Sequence, residues 1–402
     1  MKVTKAYRYE LKPTSSQRML LAKHAGVARF TYNWGLKQRI DLYEKEKLST
    51  NAIEQHRILN SLKATEFPWM YEVSKCAAQE ALRDLDKAFK HFYHGIKQGK
   101  PVGFPKYKKK GKHDSFRLTG AIKEWERSIQ LPRLGIIRLK EKPKTKGRIL
   151  SATVSRQADR WFVSLTVEVE IETPNPVQGI PIGIDLGLTS FFVTSEGEKI
   201  ASPKPLNKQI KNLKKLSKQH SRKQKGSNNR KKSALKLARR HRKISNQRAD
   251  YLHKLSTILA KTKPVIVVED LDVQELLHRR RLSRAIADVG WSSFIRMLEY
   301  KTKWYGSLLV KAPRYFPSSK RCSNCKHHIE ALPLNIRKWQ CSQCCVEHDR
   351  DINAAINLIN YYTGSSPEIN ACGDTSNGVS DKLTSYVSLK QEVTNGIFVH
   401  KL

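Results

Sequence analysis

The chain has 402 residues, 39% of them hydrophobic, and its 76 basic and 36 acidic side chains give a formal net charge of +40. A charge of this size opposes compaction unless a polyanion neutralises it, which favours nucleic acid, with an anionic membrane surface as the rival. The sequence contains no apolar run near the ~18 residues that span a bilayer, and "MKVTKAYRYELK" at its start lacks the apolar core of a signal peptide. We therefore expect a cytoplasmic, nucleoid-associated protein that does not bind membranes.

The first part of the chain predicts one strand, two long helices and a small β-structure. Polar and apolar residues alternate over 1–13, which predicts a strand, while 15–47 and "SKCAAQEALRDLDKAFKHFYHGI" have helical apolar spacing. The Gly-, Pro- and Lys-rich residues 97–114 predict a loop. Short alternating runs then continue to residue 170 and predict a small antiparallel barrel or sheet.

A different pattern begins after the linker "ETPNPVQG". The stretch "PIGIDLGLTSFFVTSEGEKIAS" predicts a strand and a hairpin that turns at Glu196-Gly197, and residues 205–260 are helical with an interruption at "GSNN". A buried strand "TKPVIVVEDL", a helix "SSFIRMLEYKTKWYG" that stops at Gly306 and a strand "SLLVKAPRYFP" follow. The helix "DINAAINLINYY", capped by Asp351, closes the structured part, and the polar tail 363–402 is predicted to be disordered.

Two Cys-x-x-Cys pairs lie 15 residues apart between the last predicted strand and the closing helix. Their cysteines are Cys322, Cys325, Cys341 and Cys344. Four thiolates at this spacing can surround one tetrahedral ion, typically Zn²⁺, and because all four positions are filled we expect a structural site. Four reduced cysteines without a metal are the alternative. Competing ligands are Cys345, His327, His328 and His348.

Three carboxylates are candidates for chemistry. Asp185 lies at the centre of the apolar "GIDLG" and Glu269 at the end of "PVIVVED", where a lone buried carboxylate is costly unless it is paired or bound to a metal. Asp351 opens the closing helix and, taken alone, is an ordinary N-cap. This order of strands, helix and acids is ribonuclease-H-like, and such carboxylates hold two divalent ions ~4 Å apart. Mg²⁺, or Mn²⁺, suits the oxygen ligands; three unrelated structural acids are the alternative.

The longest basic stretch has no acidic residue between Lys199 and Ala249, and it holds 16 Lys and Arg from Lys208 to Lys243. Polybasic helices of this kind neutralise phosphates. A membrane-surface helix fits less well, because the stretch has few large apolar residues. The candidate nucleic-acid contacts in it are Lys214, Lys215, Arg222, Lys223, Arg230, Arg239 and Arg240.

Taken together, the motifs resemble those of the TnpB (OrfB) family of transposon-encoded proteins, relatives of the type V CRISPR nucleases. The resemblance covers nearly the whole chain. It rests on "YRYELKPTSSQRMLL", "GFPKYKKK", "LPRLGIIRLK", "IGIDLGLTSF", "VVEDL", "FPSSKRCSNC", "CSQC" and "DRDINAAINL" in one order. The sequence departs from the family pattern at Cys345, which replaces an expected Gly.

The resemblance implies an RNA-guided DNA endonuclease that binds a guide RNA from the transposon end, recognises a target-adjacent motif and cuts double-stranded DNA at one RuvC site. By motif, Asp185, Glu269 and Asp351 correspond to the magnesium-binding triad, and the four cysteines to the zinc ligands beside it. Lys75 and Gln79, one helical turn apart, resemble positions that face the adjacent-motif duplex. We expect the protein to be monomeric with its RNA.

The implied fold is α/β and multidomain. Residues 178–362 correspond to an RNase H-like (RuvC) nuclease domain, into which a zinc ribbon that binds target nucleic acid is inserted at 317–348. Residues 1–172 correspond to a wedge-like β-barrel that carries an inserted helical recognition domain at about 14–100.

Three other functions are compatible with some of these features. One is a nuclease-inactive, RNA-guided regulator, which the presence of all three carboxylates disfavours. Another is a transposase that performs strand transfer, with which the same triad is compatible. The last is a basic zinc protein of RNA assembly, which leaves the acids of "GIDLG" and "VVEDL" unexplained.

Overall fold

The structure is a computed structural model that describes residues 1–278, 281–333 and 335–364. It divides into two compact units, the first formed by Met1–Glu172 with Ala234–Arg239 and the second by Thr173–Ser233 with the described residues from Arg240 onward. The tail that the sequence predicts to be disordered lies, from residue 365, outside the described residues.

The first unit packs helices on a seven-stranded antiparallel sheet with strand order β2-β6-β7-β1-β5-β4-β3. Its elements are β1 (Lys2–Lys12), α1 (Ser15–Glu46), α2 (Ala52–Leu62), a 3-10 turn (Pro68–Glu72), α3 (Lys75–Lys97), β2 (Ser115–Leu118), β3 (Lys123–Trp125), β4 (Ser128–Leu131), β5 (Gly135–Leu139), β6 (Arg148–Gln157) and β7 (Arg160–Glu170). The central strands β1 and β7 pair from Lys2 opposite Glu170 to Leu11 opposite Trp161. Alternate residues of these strands, such as Val163 and Leu165, are fully buried, as the period of two in the sequence predicts.

The sequence prediction misses helix α2. Asn51 and Glu54 form a capping box at its start, but its buried residues are only Ala52, Gln55 and Leu59. The buried amide of Gln55 donates a hydrogen bond to the Gly35 carbonyl oxygen at 2.8 Å, and this bond makes its burial tolerable. A polar residue in the buried stripe weakens the apolar periodicity from which a helix is recognised.

The second unit contains a five-stranded sheet with strand order β10-β9-β8-β11-β12. Its elements are β8 (Ile182–Leu186), β9 (Ser190–Thr194), β10 (Lys199–Ala201), α4 (Pro205–Ser221), α5 (Asn228–Thr262), β11 (Val265–Glu269), α6 (Val273–His278), α7 (Ser283–Val289), α8 (Trp291–Tyr305), β12 (Leu308–Ala312), β13 (Lys338–Gln340), β14 (Glu347–Asp349) and α9 (Arg350–Gly364). Strands β8, β11 and β12 are parallel, whereas β9 and β10 are antiparallel. The predicted hairpin is confirmed, with Gly197 at a φ of 89° between β9 and β10, and so is the helix stop at Gly306 (φ 78°).

The break in the long helical stretch comes earlier than predicted. Helix α4 ends at Ser221 and α5 begins at Asn228, so residues 222–227 separate them. The Ser227 hydroxyl accepts a hydrogen bond from the Arg230 amide at 3.1 Å and caps α5. The predicted breaker "GSNN" therefore includes the cap and the first residues of α5.

A buried carboxylate joins three helices of this unit. Asp288 at the end of α7 is 3% exposed, and its oxygens accept hydrogen bonds from the amides of Leu206 (2.9 Å) and Asn207 (3.0 Å) in the first turn of α4. The Arg248 guanidinium of α5 lies 3.0 Å from the same carboxylate. Asp288 thus caps α4 from outside and holds it near α5, since the N-cap residue Lys204 provides no side-chain cap.

Candidate active site and cysteine cluster

Two of the three predicted carboxylates lie at the same edge of the parallel strands. Ile184 of β8 is paired with Val268 of β11, so Asp185 and Glu269, each one residue further on, occupy neighbouring positions. Both side chains are half-buried. The carboxyl ends of parallel strands are where α/β sheets bind ligands.

The third carboxylate reaches this region because a helix packs directly on a strand. A Cβ at Gly183 would lie 2.0 Å from the carbonyl oxygen of Ala355, so only glycine allows α9 to approach β8 this closely. Asp351 lies in the first turn of α9. Gly183, the first glycine of "GIDLG", therefore allows close packing of the helix that carries the third acid.

The three carboxylates interact electrostatically. Burial raises the pKa of Asp185 well above its usual value, and the nearby charges of Glu269 and Asp351 raise it further. Arg350 and Arg337 act in the opposite direction without cancelling the effect. Burial also raises the pKa of Glu269, although a hydrogen bond from the Ser318 hydroxyl opposes this. Burial and mutual repulsion of the acids thus outweigh the two arginines, so the charged form of Asp185 is disfavoured unless a cation balances it.

The prediction that Asp351 caps the closing helix is wrong. Asp349 is the capping residue, because its Oδ1 accepts hydrogen bonds from the amides of Asp351 (3.1 Å) and Ile352 (3.2 Å). Its Oδ2 is paired with the Lys199 ammonium at 2.6 Å. The Asp351 carboxylate is instead 3.1 Å from Arg337 and 26% exposed, so it is not engaged in capping and lies beside the other acids.

The carboxylates fit a divalent cation by their chemistry but do not converge tightly. Hard oxygen donors with uncompensated negative charge are the set that Mg²⁺ or Mn²⁺ requires. Among the residues that the structure describes, however, only the four cysteines bring three or more candidate ligand atoms within 4.8 Å of one another. Ser318 and Arg337 hold Glu269 and Asp351 individually. The sequence prediction did not include these two partners, because nothing in its pattern distinguishes them from other polar residues.

The cysteine cluster has the geometry of a closed metal site. The sulfurs of Cys322 and Cys344 are 3.6 Å apart, and so are those of Cys325 and Cys341. Sulfurs bound tetrahedrally at about 2.3 Å from one ion would be about 3.8 Å apart. The backbone amide of Val346 contributes most to lowering the pKa of Cys344 to about 6, whereas the pKa of Cys325 is raised to about 12, against a backbone hydrogen bond at His327, by burial and the other three sulfurs. The four thiols therefore titrate as one coupled group.

The two Cys-x-x-Cys turns are alike in backbone. Lys326 and Cys345 each follow a Cys-x-x-Cys pair and adopt φ values of 65° and 57°. The backbone amide of Lys326 donates a hydrogen bond to the Cys322 carbonyl oxygen (3.0 Å), and that of Cys345 to the Cys341 carbonyl oxygen (2.9 Å). Cys345 therefore occupies the left-handed conformation expected of the Gly that it replaces, and it is exposed and outside the four-sulfur group. Of the predicted competitors, His348 lies beside the cluster, with Nε2 3.1 Å from the Cys322 sulfur.

Three asparagines fasten the first cysteine turn to helix α9. Asn353 accepts a hydrogen bond from the Ser323 amide at 2.9 Å and donates one to the Arg321 carbonyl oxygen at 2.8 Å. Asn357 donates to the carbonyl oxygens of Ser318 (2.8 Å) and Arg321 (2.6 Å), and Asn360 to that of Ser323 at 3.3 Å. The signal was present in the sequence as asparagines spaced four and three apart on an apolar helix. The cysteine cluster is therefore fixed to the helix that carries Asp351.

The predicted nucleic-acid contacts differ in how free they are. Lys75 lies exposed in the first turn of α3 with Gln79 half-buried one turn on, and Lys214, Lys215, Arg222 and Lys223 are exposed. By contrast, Arg230 donates to the Lys223 carbonyl oxygen at 2.7 Å, Arg239 is paired with Asp159 at 2.7 Å, and Arg240 donates to Gln209 at 3.1 Å. All nine remain predicted contacts. Within the described part of the chain, no helix is long and apolar enough to cross a membrane.

These features define a mixed α/β, multidomain protein with a four-cysteine cluster beside a group of acids. Three family models match it: one described as a probable transposase (OrfB_IS605) over residues 164–280, the Cas12f1-like TNB domain over 291–358, and a helix-turn-helix domain of the same group over 1–47. In the last range the structure has strand β1 followed by the single helix α1.

Similar proteins match along nearly their whole length. A protein of Streptomyces pristinaespiralis, provisionally named an RNA-guided DNA endonuclease, is 39% identical over 92% of both chains. InsQ of Escherichia coli, named in the same way, is 30% identical over 99% of both chains, and a Mycobacterium tuberculosis protein with that name is 34% identical over 89% of this chain and 86% of its own. The chain belongs to the TnpB/OrfB family of the IS605 group.

A solved structure shares the fold. The Cas12f1 chain of a complex with sgRNA and target DNA superposes with a TM-score of 0.53 at 14% identity, over 89% of this chain and 98% of its own. The α/β, multidomain architecture thus resembles that of Cas12f.

Proposed function

We propose that this protein is an RNA-guided DNA endonuclease that hydrolyses phosphodiester bonds at a metal-dependent RuvC-like site formed by Asp185, Glu269 and Asp351. The observation that carries the proposal is the placement of the three acids: Asp185 and Glu269 end neighbouring parallel strands, and Asp351 lies in the first turn of the helix packed on β8. Burial and the charges of the other two acids also raise the pKa of Asp185. Uncompensated carboxylates persist at functional sites, where a bound ion supplies the missing charge. The names of the similar proteins support the RNA guide and the DNA target.

Each residue of the site has a distinct role in this proposal. Asp185 and Glu269 hold the ions from two neighbouring strands, and Asp351 does so from the helix packed on them. Bound Mg²⁺ or Mn²⁺ supplies an activated water and charge stabilisation at the leaving oxygen. Ser318 orients Glu269. Arg337 is 57% exposed beside Asp351, where its guanidinium offers a positive charge to a phosphate of the substrate.

In the same proposal, Cys322, Cys325, Cys341 and Cys344 hold a structural Zn²⁺. The sulfur spacings and the grouping of all four sulfurs support this assignment. The three asparagine contacts would then transmit the rigidity of the metal site to α9. The zinc module is thus a support for the nuclease site.

The remaining parts of the chain would bind nucleic acid. We assign residues 178–362 to the RuvC-like domain with a zinc ribbon at 317–348, and residues 1–172 to the wedge-like domain with its helical insertion at about 14–100. The exposed basic residues of α4 and α5 would contact phosphates of the guide RNA or the DNA. Lys75 and Gln79 would face the target-adjacent duplex, with the protein monomeric on its RNA.

The test begins with the RNA that co-purifies when the protein is expressed with its flanking DNA. A single RNA with a constant folded part and a variable end supplies the guide for a cleavage assay with MgCl₂. We expect wild type to cut the matching DNA and D185N and E269Q to lose at least about a hundredfold in rate while they still bind the RNA. D270N is the matched control, because Asp270 neighbours Glu269 but is paired with Arg314 on the surface. Full cutting by D185N would exclude the assigned site.

Strand transfer is the second candidate, supported by the description of the matching model as a probable transposase. Hydrolysis and strand transfer use the same carboxylates and differ in the attacking oxygen, which is water in one and a DNA 3′-hydroxyl in the other. The two are separated by adding labelled transposon ends to the same reaction. Joined products would establish strand transfer, whereas cut ends alone would establish hydrolysis.

A further inference from the structure

An exposed tyrosine follows the strand that lies beside Glu269. Ala312, the last residue of β12, is paired with Glu269, the last residue of β11, and Tyr315 comes three residues later. Its side chain is 91% exposed, more than any other large apolar side chain in the described residues, of which the next is Ile180 at 72%. Packing therefore does not account for the ring.

The backbone around Tyr315 is nevertheless held firmly on both sides. Arg314 is paired with Asp270 (3.3 Å) and Asp272 (3.1 Å). Phe316 packs against Tyr361 of α9 with ring centroids 5.2 Å apart, and its amide donates to the Pro313 carbonyl oxygen at 3.0 Å. A mobile loop would carry an exposed ring anywhere, whereas this one is fixed relative to the carboxylates.

Residues on both sides of Tyr315 also contact Glu269 or the acids that follow it. Two residues after Phe316, the Ser318 hydroxyl donates to Glu269. Arg314 is paired with Asp270 and Asp272, two acids of the segment that follows Glu269, and it therefore halves the negative charge that this segment presents next to the ring. Scattered exposed aromatic side chains are common and have no function in general. Its position three residues after the strand end paired with Glu269 distinguishes Tyr315 from Tyr43, which is 59% exposed on α1.

We propose that Tyr315 forms a stacking subsite for an unpaired nucleobase of the DNA strand that occupies the carboxylate site. The proposal rests on the proposed function. An aromatic face binds any base, so the subsite orients the strand without reading its sequence. Its effect is to hold the nucleotide next to the scissile phosphate, which makes Tyr315 a positioning residue.

The experiment uses full-length protein loaded with its co-purified RNA. Wild type first maps the cut position on a matching DNA target. The D185N protein, which leaves the DNA intact, then binds targets that carry 2-aminopurine on one side or the other of the mapped phosphate. Stacking quenches 2-aminopurine, so we expect low emission at one of the two positions. Adding Y315A should raise that emission several-fold, whereas adding Y315F, which keeps the ring, should not.

Single-turnover cutting gives the second readout. We expect Y315A to slow cutting about tenfold and Y315F to cut at the wild-type rate, with the same melting temperature in all three because the ring is exposed. Y315F is the matched control, because it keeps the ring at the same position, and it should behave as wild type in both measurements. Emission unchanged by Y315A together with a normal rate, or an equal effect of Y315F, would overturn the subsite.

The two proposals fail in different ways. Cutting by D185N would exclude the assigned carboxylate site whatever the fluorescence. If D185N is inactive and wild type cuts, but Y315A matches wild type, only the stacking subsite is wrong.

Discussion

The cysteine cluster and the carboxylate site belong to the same unit but are assembled differently. The four cysteines come from two similar tight turns close together in the sequence, and together they offer all four ligands of one tetrahedral ion. The carboxylates come from β8, β11 and α9 and depend on strand pairing and on helix packing at Gly183. The cysteine cluster, a closed site, therefore needs only the geometry of two turns. The carboxylate site, an open site, needs the whole α/β core to be folded correctly.

The largest expected effect tests the closed site. Cys322→Ser should remove the bound zinc and destabilise the unit by several kcal/mol, because metal binding in such sites contributes directly to folding. Zinc content by atomic emission and the melting temperature measure both. Cys345→Ser is the control and should leave both unchanged, since Cys345 is exposed and outside the cluster. A fully zinc-loaded Cys322→Ser protein would show that another residue is the ligand.

The second prediction concerns a substitution that should disrupt the carboxylate site and leave the cysteine cluster intact. Gly183→Ala places a Cβ 2.0 Å from the Ala355 carbonyl oxygen, which forces α9 away from β8 at a cost of about 1–3 kcal/mol. We expect cutting to be lost because Asp351 moves away from Asp185, while zinc content stays normal. Gly187→Ala meets the Ser190 carbonyl oxygen only at 3.1 Å and should do less. Normal cutting by Gly183→Ala would contradict this dependence on close packing.

The same difference explains what the sequence predicts and what it does not. Turn spacing is local, so the four cysteines were recognisable from the sequence. Asp185 and Glu269 were singled out because carboxylates in apolar strands are unusual, and Asp351 because of its place in the order of elements. Gly183 and Asn357 were visible but had no assigned purpose. Ser318 and Arg337 were not recognisable, because their roles depend on contacts across the fold. The cap was assigned to Asp351 instead of Asp349 because the two acids lie two residues apart at the start of the same helix, and only hydrogen bonds distinguish them.

A smaller effect tests the connection between the two sites. Asn357→Ala leaves the Ser318 carbonyl oxygen without its donor and the Arg321 carbonyl oxygen with Asn353 alone, and a buried unsatisfied group costs about 1–3 kcal/mol. We expect zinc to remain bound but the cutting rate to fall, since the cysteine turn is no longer fixed to α9. Asn360→Ala, which removes a single longer bond of 3.3 Å, serves as the control. Equal cutting by the two variants would mean that the cluster supports α9 by other contacts.

The smallest effect concerns the charge of the open site and depends on pH. Because the pKa of Asp185 is raised above its usual value of 3.8, the folded protein binds more protons than the unfolded chain between the two pKa values, and its stability falls as pH rises through that range. In magnesium-free buffer at pH 7.5, Asp185→Asn should therefore melt about 2 °C or more above wild type. The gain should shrink as the pH falls through the raised pKa and vanish near pH 3.8. Asp270→Asn should show no gain, since its carboxylate is paired with Arg314 at the surface. If Asp185→Asn melted lower than wild type at pH 7.5, Asp185 would be neutralised by the protein itself. A bound cation would then not be needed to balance its charge.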